Sequence, residues 1–432
     1  MLDIRLIREN PELIRKDLKK RRDEENLKLL DDFLKKDEEY RLSLKKVEEL
    51  RARRNTLSQD INKLKKEGKD VSQILKEAKE IPEKIKELES NLEFLKKAIN
   101  NCLMRLPNIM HDSVPYGKDD SENVEIRRVG EPKKQDFELI SHGELAEKLG
   151  IADFKKAAEV SGTGFYYMFG ELALLNQAII QYAVDFMTER GYKFVIPPLM
   201  LNRKAYEGVT DLDAFENVLY KIENQDLYMI ATAEHPIGAL YMNEVIAEED
   251  LPVKLVGLSP CFRKEIGSHG VDTRGLFRVH QFWKVEQFIF CKPEDSSKYH
   301  EELIKNSEEM FQGLGLPYRV VNICTGDLGI IAAKKYDLEV WMPRQNAYKE
   351  ACSCSNCTDY QARRLNIRFG KKGAPDNVLV HTLNNTAIAT SRAMVSILEN
   401  FQNKDGSIDI PKALWPYMNK IKKIKLAKKK KD

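Results

Sequence analysis

The 432-residue sequence predicts an α+β protein, in which an antiparallel helical hairpin precedes an antiparallel β-sheet flanked by helices. Between residues 31 and 106, apolar residues recur every three or four positions, which is the period of a helix. Further along the chain, short β-rich runs such as "VLYKI", "PVKLVGLSPCFRK" and "LEVWMP" are separated by helical stretches. Neither a P-loop nor a G-x-G-x-x-G run is present, so the sequence does not predict a nucleotide-binding cradle of the Walker or Rossmann type.

The hairpin is predicted from two apolar seams joined by the turn-like "EGKD" at residues 67–70. The first seam is interrupted by Arg51 and Arg54, whereas the second alternates by three and four from Val71 to Leu106. Helices joined by so short a turn must be antiparallel neighbours. Pro82 either kinks the second helix or lies in the first turn of a helix that begins near Ile81.

Composition divides the chain into four predicted segments. Residues 1–110 form an N-terminal domain with the hairpin at about 27–106, and residues 111–136, rich in Pro and Gly, form a linker. Residues 137–419 form the main domain, and 420–432 form a disordered basic tail with eight lysines and one aspartate. The sequence contains neither an apolar run of about 18–20 residues nor a leader pattern, so we expect a cytoplasmic protein without a membrane partner.

Seven cysteines suit a reducing compartment with free thiols. Cys352, Cys354 and Cys357 form a C-x-C-x-x-C pattern that could indicate zinc. Structural zinc needs four ligands, and neither a second Cys pair nor a close His follows. We therefore expect no structural zinc.

The stretch "FRKEIGSHGVDTRGLFRVHQFWKVEQF", residues 262–288, carries unusually many charges for a strand pair. Strand alternation places Phe282 and Glu286 on one face and Val279 on the other, while Arg263 and Glu265 share a face of the preceding strand. Two charged strands that flank a Gly-containing loop predict the floor of a cleft. A salt-bridge ladder on an exposed sheet is the alternative.

This stretch resembles motif 2 of the class II aminoacyl-tRNA synthetases, and the chain as a whole resembles the seryl-tRNA synthetase family. Six blocks in the family's order carry the resemblance. The motif 3 wording "NNTAIATSR" is closer to archaeal or eukaryotic members, and the chain is unlike the rare zinc-dependent form. Besides motif 2, the blocks are residues 142–178 before motif 1, "ATAEHP" at 231–236, "KEACSCSNCTDYQARR" at 349–364, motif 3 at 383–402 and "IPKALWPYM" at 410–418.

The resemblance implies a serine–tRNA ligase with a class II catalytic domain. Such an enzyme activates L-serine with ATP to seryl-adenylate and pyrophosphate, and then transfers serine to the 3′ end of tRNA(Ser) and also of tRNA(Sec). ATP is then a substrate and Mg²⁺ a cofactor. The catalytic residues carried over by position are Arg263, Arg392 and Glu350, with Glu350 and Ser353 as Mg²⁺ ligands.

Two further residue sets follow from the same resemblance. Arg263 would bridge the serine carboxylate and the α-phosphate, and Arg392 would hold the γ-phosphate. Glu265 would accept a hydrogen bond from the adenine amino group, and Phe282 would stack on the base. The ATP-binding set is Arg263, Lys264, Glu265, Val279, Phe282, Glu350, Ala351, Cys352, Ser353 and Arg392. The serine-binding set is Thr232, Ala233, Glu234, Arg263, Glu286, Asn384 and Thr386.

The resemblance also implies partners. The hairpin and the motif 2 loop would bind tRNA by shape, and arms that act across subunits imply a homodimer with motif 1, about Leu172–Met200, at its interface. One alternative is a paralogue that loads an amino acid onto a carrier protein, but such relatives lack a long tRNA-binding arm. The other is an inactive RNA-binding protein, which predicts loss of Arg263, Glu286, Glu350 or Arg392, and all four are present.

Overall fold

The computed structural model describes residues 1–265 and 275–426, without the side chains of residues 213 and 214. The chain divides into two compact units, one spanning Met1–Pro107 and the other beginning at Asn108. No helix among the described residues is long and apolar enough to cross a membrane.

The first unit consists of four helices, which are α1 Ile4–Glu9, α2 Pro11–Arg21, α3 Glu24–Lys66 and α4 Ser72–Arg105. The side chains of Asp3, Asn10 and Asp23 accept hydrogen bonds from backbone N–H groups and cap the first three. The predicted hairpin is confirmed as α3 and α4, which bury Val47 and Leu57 against Ile81 and Ile85.

Ion pairs join α3 and α4 in the region where Arg51 and Arg54 interrupt the apolar seam of α3. Arg51 lies 2.7 Å from Glu89, and Arg53 lies 2.7 Å from Glu77. Pro82 lies inside α4, which already begins at Ser72. The alternative in which the helix begins near Ile81 is therefore wrong.

The second unit is built on an eight-stranded sheet. Its strands are β1 Val124–Val129, β4 Lys193–Val195, β8 Val253–Phe262, β9 Gln281–Cys291, β10 Tyr318–Asn322, β11 Lys334–Met342, β12 Ala347–Asn356 and β15 His381–Ala389. They lie in the order β1-β10-β11-β12-β15-β9-β8-β4, and all neighbours pair antiparallel except β4 and β8, which are parallel. The short remaining strands are β2 Ala152–Asp153, β3 Tyr167–Met168, β5 Met200–Leu201, β6 Tyr228–Met229, β7 Val245–Ile246, β13 Arg368–Phe369, β14 Val378–Leu379, β16 Ile408–Asp409 and β17 Lys423–Ile424.

Three long helices, α7 (Gly170–Thr188), α11 (Ser296–Gly313) and α13 (Thr390–Asn400), share a large apolar core with the sheet, to which β9 contributes Val285 and Ile289. Residues 284 and 286 of β9 alternate with these and lie on its other face. The helices of this unit are α5 His142–Lys148, α6 Phe154–Ser161, α7 Gly170–Thr188, α8 Arg203–Val209, α9 Leu212–Phe215, α10 Glu234–Gly238, α11 Ser296–Gly313, α12 Tyr360–Leu365 and α13 Thr390–Asn400.

Two segment predictions are corrected. The predicted linker 111–136 contains β1, which pairs with β10 at the edge of the large sheet, so the main domain begins before residue 137. The predicted disordered tail contains β17, which pairs with β16 and buries Ile424. Residues 427–432 of that tail lie outside the described residues.

Candidate active site

A cavity of about 480 Å³ opens on the sheet face opposite the large core. Arg263, Glu286 and Glu350 all line it, together with Asn384 and Thr386. The charged strands therefore form the floor of a cleft, as the alternation predicts, and not a ladder on an exposed sheet. A second, smaller lobe shares Arg263, Glu265, Lys284, Glu350 and Thr386 with this cavity.

Glu286 is the most buried carboxylate of the floor, with its side chain 1% exposed. Lys284 places its Nζ 2.8 Å from Glu286 Oε2, and Thr386 Oγ1 donates to the same oxygen at 3.3 Å. Burial raises the pKa of Glu286, although Lys284 acts in the opposite direction. The single ammonium therefore compensates only part of the cost of burying this charge.

Glu234 begins α10 and faces the same cavity. Asn384 Nδ2 donates to Glu234 Oε1 at 3.1 Å, and Gln361 Nε2 donates to it at 3.4 Å. Burial and the nearby Glu286 raise the pKa of Glu234 to about 7. Thr232 lines the cavity and accepts from the Glu234 N–H at 3.1 Å. Ala233 is fully buried in the apolar cluster behind this wall.

Arg263 follows the end of β8 and lines both lobes. Its backbone N–H donates to the His280 carbonyl at 2.9 Å, and its Nε donates to the Ala231 carbonyl at 3.3 Å. Its guanidinium carbon lies 5.3 Å from the centre of the Phe282 ring. Because Arg263 lines both lobes, it lies where the two lobes join.

The smaller lobe combines aromatic and cationic side chains. Val279 and Phe282 lie in one buried cluster with Cys261 and Ala389. Strand alternation predicts opposite faces for Val279 and Phe282, and this is wrong because β9 begins only at Gln281. Glu265 lines the lobe with a positive φ of 44°, so the alternation of β8 does not extend to it either.

Glu350 and Arg392 meet where the two lobes join. Arg392 Nη1 lies 3.5 Å from Glu350 Oε1 and also donates to the Glu350 carbonyl. Burial acts to raise the pKa of Glu350, but Arg392, Lys335 and Arg263 together hold that pKa below its usual value. The side chain is 46% exposed, towards the cleft, and remains available as an anionic oxygen ligand.

Of the four remaining predicted site residues, two line the cavity and two do not. Ala351 lines the smaller lobe and Ser353 the larger one. Cys352 lies in the large core, where its Sγ contacts the Ala387 carbonyl, so its side chain lines neither lobe. Lys264 also lines neither lobe, and its Nζ lies 5.9 Å from the centre of the Tyr220 ring.

The three cysteines of the C-x-C-x-x-C pattern occupy different surroundings. Cys354 is in the core with its Sγ near the His300 carbonyl, whereas Cys357 lines the cavity and receives the Asn384 amide at 3.7 Å. Within residues 1–265 and 275–426, no group of three His, Cys, Asp or Glu side chains has the geometry of a metal site.

Several cavity residues were not predicted from the sequence. Lys284 could have been found, because it shares the alternating face of Glu286. Lys335 lines the larger lobe, and Phe277 and Arg278 line the smaller one. Gln361 contacts Glu234 from α12, a long-range contact that no local pattern indicates.

Comparison with known proteins gives the family. Residues 1–110 match the seryl-tRNA synthetase N-terminal domain, and residues 218–401 match the tRNA synthetase class II core domain (G, H, P, S and T). A serine–tRNA ligase of Methanocella arvoryzae is 59% identical over 97% of this chain and 99% of its own length. The chain belongs to the seryl-tRNA synthetase family.

Solved structures agree with this assignment. The seryl-tRNA synthetase of Pyrococcus horikoshii, complexed with ATP, superposes with a TM-score of 0.95 at 50% identity, covering 99% of this chain and 100% of that one. The cytoplasmic serine–tRNA ligase of Naegleria fowleri, complexed with AMP, gives 0.89 at 34% identity and covers 99% of both chains. The predicted class II fold with its helical hairpin is confirmed.

Proposed function

We propose that this cavity joins L-serine to ATP, forms seryl-adenylate and pyrophosphate, and passes the seryl group to the 3′ end of tRNA(Ser) and of tRNA(Sec). The full-length relatives named as serine–tRNA ligases support this function over the carrier-protein alternative. One observation carries the assignment of roles, namely that Arg263 lines both lobes of the cavity. A guanidinium at that junction can hold the serine carboxylate and the α-phosphate together, and can stabilise the charge that develops on phosphorus.

Serine occupies the larger lobe in this proposal. Glu286 and Thr232 receive its ammonium group, and Glu286, Asn384 and Thr386 line its hydroxyl. The Asn384 amide N–H groups are directed to Glu234 and Cys357, which orients its carbonyl oxygen to accept the serine O–H. Alanine would leave these buried polar groups unpaired, and sites of this kind reject such analogues by about 10⁴–10⁵.

ATP occupies the smaller lobe. Phe282 and Val279 pack against the base, Glu265 accepts from its amino group, and Arg392 holds the γ-phosphate. Lys264 lines neither lobe and the Cys352 side chain lies in the core, so we assign no side-chain contact with the nucleotide to either residue. No covalent enzyme intermediate is required.

Glu350 and Ser353 fit a Mg²⁺ ion that bridges the phosphates. Mg²⁺ commonly takes one or two protein oxygens and completes its octahedron with phosphate oxygens and water. Glu350 is kept ionised by its cationic neighbours, and the cavity-facing Ser353 supplies a hydroxyl oxygen. When bound, the ion would neutralise charge on the leaving pyrophosphate.

The hairpin supplies a surface for tRNA. Residues 27–67 carry twelve Lys and Arg against nine Asp and Glu, scattered as backbone recognition of duplex RNA requires. Apolar side chains exposed in and around motif 1 support a homodimer, so that one subunit's arm serves the other subunit's active site. These side chains are Phe169, Phe194, Ile196, Leu199 and Met200.

The test is amino-acid-dependent pyrophosphate exchange with all twenty amino acids, followed by tRNA charging. We expect exchange with serine alone, and its loss in Arg263→Ala with unchanged folding by circular dichroism. Lys46, Lys63 and Lys65 are exposed on α3, and replacing all three by Glu should reduce tRNA charging but not pyrophosphate exchange. The control Lys404→Glu, at an exposed position in the second unit, should affect neither reaction. Exchange with another amino acid, or exchange without any tRNA charging, contradicts the proposal.

A further inference from the structure

His142 connects three segments around the smaller lobe. The Leu276 N–H donates to His142 Nε2 at 3.1 Å, and His142 Nδ1 lies 2.9 Å from Glu399 Oε1. Because Nε2 accepts a hydrogen bond, the ring proton is on Nδ1 and is donated to Glu399. Both side chains are buried, His142 at 7% exposure and Glu399 at 3%. The imidazole therefore joins the start of α5, the helix α13 and the chain at Leu276.

These contacts connect two segments that line the smaller lobe. Glu399 lies seven residues after Arg392 on α13, which is about two helical turns and the same face. Leu276 is followed by Phe277, and the Arg392 guanidinium lies 5.5 Å from the centre of the Phe277 ring. The segment that begins at Leu276 and the helix that carries Arg392 are thus held together at two points, and His142 makes one of them.

Gly275 independently supports a close contact between His142 and the backbone beside Leu276. Its φ is +94°, and a Cβ at this position would lie 2.3 Å from His142 Nε2. A glycine is therefore needed for the backbone to approach the ring this closely.

We propose that His142 is a positioning residue for ATP, because it fixes residues 276–279 relative to Arg392. This inference rests on the proposed function. The binding of serine should change little. Glu286 and Asn384 are held by the ladder between β9 and β15, and the hydrogen bonds of His142 are made elsewhere.

A pair of isosteric variants separates the two hydrogen bonds. In His142→Gln, the amide oxygen takes the place of Nε2 and still accepts from Leu276, but the contact with Glu399 is lost. In His142→Asn, the amide nitrogen takes the place of Nδ1 and still donates to Glu399, but the side chain no longer reaches Leu276. Each variant breaks one of the two bonds that connect Leu276 to α13 through His142. We therefore expect KM for ATP in pyrophosphate exchange to rise about tenfold in both variants, as for the loss of one buried hydrogen bond, with KM for serine unchanged.

A general loss of stability would not produce this split between the two substrates. An unchanged KM for ATP in either variant, or a parallel rise in KM for serine, would overturn the proposal. If both variants unfold, the comparison moves to Glu399, where Glu399→Gln still accepts from Nδ1 and Glu399→Leu does not. Glu399→Leu should then raise KM for ATP and Glu399→Gln should not, and equal values again overturn the proposal. A wild-type protein without serine-dependent exchange would instead contradict the proposed function.

Discussion

The Glu234→Gln substitution tests the electrostatics of the cavity directly. The pKa of Glu234 is about 7 in the folded chain, against an ordinary value of 4.5, so the buried carboxyl binds its proton more tightly when folded. A carboxyl whose pKa is raised by folding makes the protein less stable as pH rises from the unfolded to the folded pKa. Gln keeps an oxygen that accepts from Asn384 and Gln361 but carries no charge.

The size of the effect follows from the shift. At about 1.4 kcal/mol per pKa unit, ionised Glu234 costs up to about 3 kcal/mol at pH 8, and less to the extent that water in the cavity screens it. Because pH 5 already lies above the ordinary pKa of 4.5, we expect Glu234→Gln to be more stable than the wild type by less than about 1 kcal/mol at pH 5, and by clearly more at pH 8. Serine-dependent exchange should fall, because the carboxylate is placed in the serine lobe.

The control is Glu249→Gln at an exposed position, which should show no difference that depends on pH. Urea unfolding at pH 5, 6.5 and 8 gives the required comparison, followed through the transition of the second unit. A Glu234→Gln variant that is less stable than the wild type at pH 8, or a stability difference independent of pH, would refute this account of the buried carboxyl.

Three further substitutions probe other parts of the site. Lys284→Met leaves Glu286 buried without its cation, so the free energy of unfolding measured in urea should fall by about 3–5 kcal/mol. A fall below about 1 kcal/mol would contradict the ion pair between Lys284 and Glu286. Phe282→Leu removes a stacking surface worth about 1–3 kcal/mol per base, so KM for ATP should rise roughly tenfold or more, and an unchanged value would place the base elsewhere. Ser307→Ala removes the hydroxyl that donates to the Thr386 carbonyl at 2.9 Å, where a bulge interrupts the β9–β15 ladder. KM for serine should therefore rise several-fold while KM for ATP does not, and equal changes would mean that Ser307 supports the fold only.

Regular elements were predictable because their periodicity extends over many residues. The seam from Val71 to Leu106 gives α4 nearly to its ends, and strand alternation places Glu286 on the cavity face. The prediction fails where the chain leaves the regular strand. Val279 precedes β9, and Glu265 follows β8 with a positive φ, so neither obeys the alternation that holds for residues 281–291.

Other features depend on distant pairing that local composition does not record. β1 is a polar edge strand within a stretch rich in Pro and Gly, and only its ladder with β10, nearly two hundred residues away, makes it part of the sheet. Cys352 falls within a block that resembles the ATP site, yet a bulge in β12 between Glu350 and Cys352 interrupts the alternation and directs the Cys352 side chain into the core. Resemblance transfers a position along the chain, whereas packing decides which atoms reach the cavity.

Two carboxylates of this cavity have pKa values shifted in opposite directions, and the difference lies in the cations around each. For Glu286, Lys284 and, less strongly, Arg263 lower the pKa but burial prevails, whereas for Glu350 the cations Arg392, Lys335 and Arg263 prevail over burial. An arriving ammonium gains most where a buried carboxylate is incompletely compensated, which favours the Glu286 side for serine. A divalent cation bound together with phosphates needs a carboxylate that is already ionised and partly open to the cleft, which favours Glu350. The same sheet face can therefore hold both substrates in a fixed order along the floor, because the distribution of Lys and Arg gives its two acids different affinities for positive charge.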